Sequence, residues 1–263
     1  RRRPAGPRHR SRPTASPGFA ATVGYSASAS ETSAWRNSLP RLEQAMRLAK
    51  LPTDVFVALE ERIPYYSKRM DACLFGHTGE GQPYTVIVEL KGWADAKAQP
   101  DGNVATFLGG TVRDEPHPSA QVHGYHEHME DFRRAYQGSG RMGLASCSYC
   151  HNYPGIIPDE GLFHPLFDQL RSLSPTFGEH DAPVLARYLS SRLAQGKGRP
   201  VLDIYDERGI GPSKSLIRHA GEMIQRQGVF RLLDEQLAAN NAILRAVRTA
   251  VGQSTPHLGV KGY

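Results

Sequence analysis

Three consecutive stretches of the chain are predicted to be β-strands, and in the first of them the side chains alternate with the period of two of a strand. The stretches cover residues 55 to 63, 69 to 76 and 84 to 91. In the third stretch, a run of Thr, Val, Ile and Val indicates a strand buried in the centre of a sheet. Because a glycine-containing turn at residues 77 to 83 joins the second stretch to the third, the three strands are expected to form a meander.

Other elements are predicted on both sides of this meander. Residues 35 to 50 have the apolar spacing of a helix, with Ser38 placed to cap it and Pro40 in its first turn. Residues 118 to 136 are also helical in pattern, and residues 142 to 153 are strand-like again. The order helix, strand, strand, strand, helix, strand predicts an α/β fold.

The chain is expected to divide into three parts. Residues 1 to 17, rich in Arg, Pro and Ser, are expected to form a disordered tail, and residues 18 to 155 to form the α/β domain. Residues 92 to 117 are long for a connection and are expected to be either a lid or a disordered loop. Residues 156 to 263 are expected to form a helical appendage, with helices at 165 to 173, 181 to 195, 213 to 226 and 234 to 251.

The net charge of +6 belongs entirely to the tail. Six arginines and no acidic residue lie in residues 1 to 13, and the remaining 26 basic residues balance the 26 acidic ones. The folded part must therefore bind nucleic acid locally, if it does so at all. No apolar run approaches the roughly 18 residues of a membrane-spanning helix, and the tail lacks the apolar core of a secretion signal. We expect a cytoplasmic protein with no membrane partner.

The three cysteines, Cys73, Cys147 and Cys150, are an odd number and indicate a reducing compartment rather than a disulfide framework. Cys147-Ser-Tyr-Cys150-His151 has the CxxCH spacing of covalent haem attachment, but it lies in a strand-like stretch without an export signal, so no haem is expected. A zinc site would need a second ligand pair. The nearest histidines are expected to lie on the surface of a polar helix: His123, His126 and His128.

Two charged residues end the predicted central strand. Glu89 and Lys91 are two apart and therefore project from the same face. Asp71 lies in the preceding strand, where hairpin pairing can bring it to roughly 5 Å from Glu89. Glu60, near the end of the first strand, supplies a third acid. An isolated Glu-x-Lys is usually a surface ion pair, but buried charges need a partner or a metal. Carboxylates and a lysine can hold Mg²⁺ or Mn²⁺ and act on a phosphodiester.

With these residues in place, the chain resembles PD-(D/E)xK nucleases. Gln121-Val-His-Gly-Tyr125 is similar to the QxxxY motif of their RecB-like branch, and a spacing of four puts both side chains on one helix face. The resemblance implies a restriction-endonuclease-like core, built from a helix, a three-strand meander, a helix and a strand. It also implies metal ligands (Glu60, Asp71 and Glu89), a catalytic lysine (Lys91) and a substrate-positioning pair (Gln121 and Tyr125).

A finer resemblance, over most of residues 30 to 250, is to the N-terminal nuclease-like region of schlafen group 3-like DNA/RNA helicases. It implies DNA or RNA as substrate and a helicase module, in the full-length protein or in trans. The chain has no GxxxxGK[ST] sequence, so no ATPase activity is expected, and we expect a truncated or cut form of a longer protein. The segments that carry the resemblance are Ala34-Trp-Arg-Asn-Ser-Leu-Pro40, Val57-Ala-Leu-Glu60, Ser67-Lys-Arg-Met-Asp71, Val86-Ile-Val-Glu-Leu-Lys91, Thr106-Phe-Leu-Gly-Gly110, His117-Pro-Ser-Ala-Gln121 and His151-Asn-Tyr-Pro154.

The leading hypothesis is therefore a metal-dependent nuclease-like domain that is normally fused to a helicase. The alternative is a non-catalytic nucleic-acid-binding or assembly module that keeps the nuclease fold. Lys68 and Arg69 flank the site and either contact phosphate or lie on a solvated strand edge. Trp93 either stacks on a base or packs over the end of the strand.

Overall fold

The computed structural model describes residues 20–23, 29–154, 161–225, 241–243, 245 and 249. The expected disordered tail lies outside these ranges, as does most of the helix predicted at residues 234 to 251. The strands are β1 (Ala20–Val23), β2 (Phe56–Arg62), β3 (Arg69–His77), β4 (Pro83–Lys91), β5 (Lys97–Ala98), β6 (Asn103–Leu108), β7 (Thr111–Pro116), β8 (Gly143–Cys150) and β9 (Thr176–Gly178).

The α-helices with continuous described backbone are α1 (Ala29–Leu48), α2 (Pro118–Phe132), α3 (Asp168–Leu173), α4 (Ala182–Leu193), α5 (Gly198–Arg208) and α6 (Lys214–Gln225). Short 3₁₀ helices cover Arg134–Tyr136, Gly161–Phe163, Pro165–Phe167 and Glu179–Asp181. None of the described helices is both long enough and apolar enough to cross a membrane.

Six strands form a mixed sheet in the order β1-β2-β3-β4-β8-β9. The neighbours β2, β3 and β4 are antiparallel, which confirms the predicted meander. β1 pairs in parallel with β2, β8 with β4, and β9 with β8. Because helices cover both faces of this sheet, the predicted α/β class is confirmed, while the finer assignment to a restriction-endonuclease-like core remains a proposal.

Two hydrophobic clusters lie on opposite faces of the sheet, because side chains alternate along each strand. Val57, Leu74 and Val88 point to the face covered by α1 and α4. Phe75 and Ile87 point to the face covered by α2 and α5. The central strands are apolar on both faces, which accounts for the nearly continuous burial of β3 and β4.

The same sheet joins the two parts of the chain that were expected to be separate. Phe177 of β9 and Leu185 of α4 belong to one core cluster with α1 and the meander. Gly198 starts α5 so close to β2 that a Cβ on it would be 2.1 Å from the backbone nitrogen of Phe56. Residues 161 to 208 therefore complete the core of the sheet, and the appendage expected to begin at residue 156 is not separate from it over this range.

A second sheet, in the order β5-β6-β7, occupies residues 92 to 117, which were expected to be a lid or a disordered loop. Val104 packs inward with Trp93, whereas Phe107 and Val112, opposite each other in the β6–β7 hairpin, are exposed. The sequence of β7 is mostly polar, so it carries no alternating apolar pattern. Its pairing with β6 defines the strand, and this pairing is a tertiary property.

Two helices also differ from expectation. α1 begins at Ala29, so Ser38 and Pro40 lie inside the helix and Ser38 does not act as its N-cap. α5 was not predicted. It follows Lys197, whose φ of 54° lies in the left-handed region, and its sequence includes Gly198 and Pro200 in the first turn. Gly198 is a poor helix former, and its contact with the sheet overrides that preference, whereas Pro200 lies in the first turn, where its missing amide hydrogen costs little.

His117 fixes the start of α2, the helix that carries Gln121. Its Nδ1 accepts a hydrogen bond from the Ser119 amide at 3.0 Å, and its Nε2 donates to the Leu162 carbonyl at 3.0 Å. The ring stacks on Phe167 with the centroids 4.2 Å apart. Burial lowers the pKa of His117 to about 3 because the protonated ring would be desolvated, although the Leu162 carbonyl favours protonation. The buried ring is therefore neutral at physiological pH.

We predict that His117 makes stability fall as the pH is lowered from about 6.5 towards 4. In this window the unfolded chain takes up a proton at residue 117 and the folded chain does not, so protonation favours unfolding. His117→Asn keeps an N-cap acceptor, and its free energy of unfolding should drop less between pH 7 and pH 4, by up to roughly 3 kcal/mol. Urea unfolding at both pH values measures this. The exposed His219→Asn is the control, and equal pH slopes for His117→Asn and the wild type would refute the prediction.

Candidate active site

Glu89 and Lys91 lie at the end of β4 on the face covered by α2. The Lys91 ammonium is 2.9 Å from Glu89 Oε1, and the two side chains are 18% and 5% exposed. The even spacing of the two residues and the pleat of the strand bring them together, as the sequence predicted. A buried ion pair of this kind needs further hydrogen bonds to offset the loss of hydration.

Gln121 supplies such a hydrogen bond from α2. Its side-chain amide donates to Glu89 Oε1 at 2.9 Å and to the Tyr125 hydroxyl at 2.8 Å. Gln121 and Tyr125 are thus on one helix face, as expected from their spacing. Tyr125 is 1% exposed, so a substrate cannot touch its ring. Its hydroxyl group accepts from Gln121 and holds that side chain in place. Direct contact with substrate stays a prediction for the half-buried Gln121.

The two oxygens of Glu89 have different surroundings. Oε1 accepts from both Gln121 and Lys91. Oε2 is buried and has no hydrogen-bond partner among the described residues. Leaving a buried charged acceptor unsatisfied costs on the order of 1 to 3 kcal/mol or more, and such atoms often face a ligand or an ion. Glu89 therefore presents one free carboxylate oxygen in a fixed orientation.

Asp71 lies next to this carboxylate. The β3–β4 register pairs Ala72 with Val88, and the Leu90 amide donates to Asp71 Oδ2 at 2.7 Å. Burial raises the pKa of Asp71 well above its ordinary value, and the charge of Glu89 raises it further. The Lys91 charge and the Leu90 amide act in the opposite direction. The carboxyl group thus binds a proton unusually tightly when no other cation is present.

Lys91 carries the charge that balances these acids. Burial by itself would lower the pKa of Lys91, but the charges of Glu89 and Asp71 and the hydrogen bond to Glu89 raise it above its usual value. The ammonium group also lies 5.6 Å from the centre of the Trp93 ring. Trp93 is 5% exposed and packs over the end of the strand, so the packing alternative is confirmed for this residue.

Glu60 lies in β2 with φ of 53°, in the left-handed region that non-glycine residues rarely adopt. As a result the neighbours of Glu60 face opposite sides of the sheet. Leu59 joins the cluster under α1 and α4, whereas Glu61 binds Arg133 and Tyr205 on the other face. The charge of Glu60 is the least of the influences that raise the pKa of Asp71, after burial and the charge of Glu89.

The three predicted metal ligands are not gathered around one point. Among the described residues, no three Asp, Glu, His or Cys side chains are arranged to hold an ion together. The arrangement offers Asp71 and Glu89, which lie opposite each other on β3 and β4. Mg²⁺ commonly binds one or two carboxylates and keeps several waters, so a pair of acids with one free buried oxygen fits its chemistry. Glu60 as a direct ligand stays a prediction.

The remaining candidates occupy other positions. Cys147 packs under α1 and α4, whereas Cys150 lies on the opposite face, beside Trp93, so the CxxCH spacing does not present both thiols to one ligand. The helix histidines are partly buried rather than on the surface: His123 binds Ser174, His126 binds Ser146, and His128 binds the Pro64 carbonyl. Lys68 and Arg69 are half-buried at the start of β3, and their contact with phosphate stays a prediction.

Sequence reasoning missed the residues that surround the backbone after Lys91. His151 donates its amide to the Lys91 carbonyl, and Asn152 donates its side-chain amide to the Gly92 carbonyl. Ser38 reaches His151 from α1, 113 residues earlier in the chain. The segment that contains His151 and Asn152 was noticed only as part of a resemblance and of a haem-like spacing. No local pattern indicates a contact over such a sequence separation.

Comparisons with models of protein families, with curated protein sequences and with solved structures found no match for this chain. The resemblance to PD-(D/E)xK nucleases and to the nuclease-like region of schlafen group 3-like helicases therefore stays a hypothesis. Its support is the residues themselves and the contacts they make.

We predict that Asp71→Asn stabilises the metal-free protein at neutral pH. The folded state raises the pKa of Asp71, so the ionised carboxylate opposes folding once the pH exceeds its unfolded value of about 4. Asn removes this charge and can still accept from Leu90. The free energy of unfolding at pH 7.5 with a chelator should rise by about 1 kcal/mol or more, and the gain should vanish below about pH 4. Exposed Asp206→Asn is the control, and a destabilised Asp71→Asn at pH 7.5 would contradict the prediction.

Proposed function

We propose that this protein is a nuclease that requires Mg²⁺ or Mn²⁺ and hydrolyses phosphodiester bonds in DNA or RNA. The observation that carries the proposal is the buried Oε2 of Glu89, which has no hydrogen-bond partner among the described residues, while Oε1 binds Lys91 and the charge of Glu89 acts on the neighbouring Asp71. A carboxylate pair with one free oxygen, beside a charged lysine, is the donor set expected for a cation that carries water. The α/β fold and the position of these residues at a strand end are consistent with the proposal.

Asp71 and Glu89 would hold the cation, with Glu60 as a third candidate. When bound, a divalent cation neutralises the scissile phosphate and makes a water molecule more acidic. Gln121 and Lys91 occupy Glu89 Oε1, so Oε2 is the oxygen left for the cation. Tyr125 holds Gln121 in place. The carboxylate is thus oriented before any ligand arrives, which avoids the cost of ordering it during the reaction.

Lys91 is the proposed catalytic residue. Its ammonium has three donors and uses one on Glu89 Oε1, which leaves donors for a water or for a phosphate oxygen. Because its pKa is raised, the group stays protonated near neutral pH and can stabilise the negative charge that develops in the transition state. A donor that is already oriented in a buried site stabilises transition-state charge more than the same donor in water, because no dipoles have to reorient during the reaction.

The test compares the wild type with Lys91→Ala and Glu89→Gln on single- and double-stranded DNA and RNA, with Mg²⁺ or Mn²⁺. We expect the wild type to cleave at least one substrate and EDTA to stop it. Lys91→Ala should lower kcat by about 100-fold or more, as expected for loss of a fixed electrostatic donor. Glu89→Gln should lower affinity for Mn²⁺ as well, since it removes a charged ligand.

Lys97→Ala is the matched control, because Lys97 is exposed and lies in β5 away from the acids. Circular dichroism of each variant checks that it is folded. Equal cleavage by the wild type and Lys91→Ala would refute the catalytic assignment. Binding of nucleic acid without cleavage, unchanged by Glu89→Gln, would instead favour a non-catalytic binding or assembly module.

A further inference from the structure

Three side chains that are linked by hydrogen bonds lie next to the end of β4. Ser38 Oγ is 2.9 Å from His151 Nε2, and His151 Nδ1 is 3.1 Å from Asn152 Oδ1. His151 is 1% exposed, and Ser38 is half-buried on α1. These contacts join α1 to the segment that follows β8. We call this group, Ser38, His151 and Asn152, the histidine relay.

The hydrogen bonds of Asn152 define the protonation of the ring. Asn152 Nδ2 donates to the Gly92 carbonyl at 3.2 Å, so its Oδ1 is the atom left to accept from His151. His151 Nδ1 therefore carries the hydrogen, and Nε2 accepts from the Ser38 hydroxyl. Burial lowers the pKa of His151, with Asn152 acting against this effect and Arg41 adding to it, so the ring is neutral near pH 7. One tautomer satisfies all three side chains.

The relay holds the backbone at Lys91 from two directions. The His151 amide donates to the Lys91 carbonyl at 3.0 Å, next to the last register pair of β4 and β8, Lys91 with Cys150. Asn152 holds the next carbonyl, that of Gly92. A Cβ on Gly92 would be 3.7 Å from both His151 Cε1 and Asn152 Nδ2, so the relay is packed against this backbone.

We propose that the histidine relay positions Lys91, with His151 as its central positioning residue. The backbone anchored at residues 91 and 92 keeps the lysine ammonium at 2.9 Å from Glu89 and over the Trp93 ring. The chemical role of the lysine rests on the proposed nuclease function, whereas its placement by the relay does not. Residues outside the metal site that orient catalytic groups typically affect activity by about 10- to 100-fold, and a similar effect is expected here.

The relay also has the connectivity of a serine hydrolase, in which a histidine activates a serine and is oriented by a third residue. Ser38, however, lies inside α1, where Pro40 follows within the same helix. The Asn152 side chain is also engaged with the backbone of Gly92. The contacts of His151 and Asn152 thus converge on the end of β4, and we assign the relay a positioning role. Labelling of Ser38 as a nucleophile is one of the outcomes that the experiments below distinguish.

The first measurement does not depend on cleavage. Trp93 and Trp35 are the two tryptophans of the chain, so Trp35→Phe leaves Trp93 as the sole emitter. In this background Lys91→Met removes the charge near the ring and defines the emission of a protein without the ammonium there. We expect Asn152→Ala and Ser38→Ala to shift Trp93 emission by at least half of that change. Ser38→Thr keeps the hydroxyl and should restore the parent emission.

The second measurement is cleavage. Asn152→Ala and Ser38→Ala should lower kcat by about 10-fold or more with little change in KM, because Lys91 acts in the transition state. Ser38→Thr should be close to the parent. His77→Ala is the control for loss of a histidine contact to backbone, since His77 binds the Gly196 carbonyl at the other end of β3. Nitrogen NMR of the His151 ring should show hydrogen on Nδ1 in the parent and loss of this preference in Asn152→Ala.

Unchanged Trp93 emission in Asn152→Ala and Ser38→Ala would overturn the proposal, whatever the cleavage assay shows. Shifted emission in these two variants, with a wild type that cleaves no substrate, would support the positioning of Lys91 and refute the nuclease function. Covalent labelling of Ser38 by a fluorophosphonate, lost in Ser38→Ala and in His151→Ala, would also overturn it, because it would make Ser38 a nucleophile.

Discussion

The ion pair between Glu89 and Lys91 is the interaction on which the rest of the candidate site depends. Both groups are largely withdrawn from water, so each is tolerable only because the other is present. Gln121 donates a further hydrogen bond to the Glu89 oxygen that binds Lys91, and the other oxygen has no partner among the described residues. The neighbouring Asp71 has a raised pKa, because burial disfavours its ionised form and the negative charge of Glu89 disfavours it further. A cation at the free oxygen would relieve both costs.

The fold places these buried charges at one end of the central strand, β4. β4 lies between β3 and β8, so its residues are covered on both edges, and its apolar side chains are buried on both faces. Only at Glu89 and Lys91 does the strand carry charge into this interior. Four separate segments then converge on the strand end: β3 with Asp71, α2 with Gln121, α1 with Ser38, and the residues after β8 with His151 and Asn152. Glu60 adds a strained backbone in β2, the strand on the far side of β3.

Much of the fold could be predicted where local sequence and tertiary structure agree. The three strands predicted for the meander correspond to β2, β3 and β4, and the Glu89–Lys91 and Gln121–Tyr125 spacings follow the strand and helix periods. Prediction failed where the pattern was weak or where contact overrides propensity. β7 is mostly polar, and its pairing with β6 makes it a strand. β9 has only three residues. α5 begins with Gly198, which packs closely against the sheet. The start of α1 was placed too late because Ser38 looked like an N-cap.

The sequence alone determined which side chains share a face, because a strand repeats every two residues and a helix every 3.6. That was sufficient to place Glu89 with Lys91, and Gln121 with Tyr125. Only the tertiary structure decided that one Glu89 oxygen accepts two hydrogen bonds while the other has no partner among the described residues, and that Asp71 lies half-buried beside this carboxylate. It alone also brought Ser38 to His151 across 113 residues. Hydrogen bonds and burial between distant segments depend on how the elements pack, and no local period encodes them.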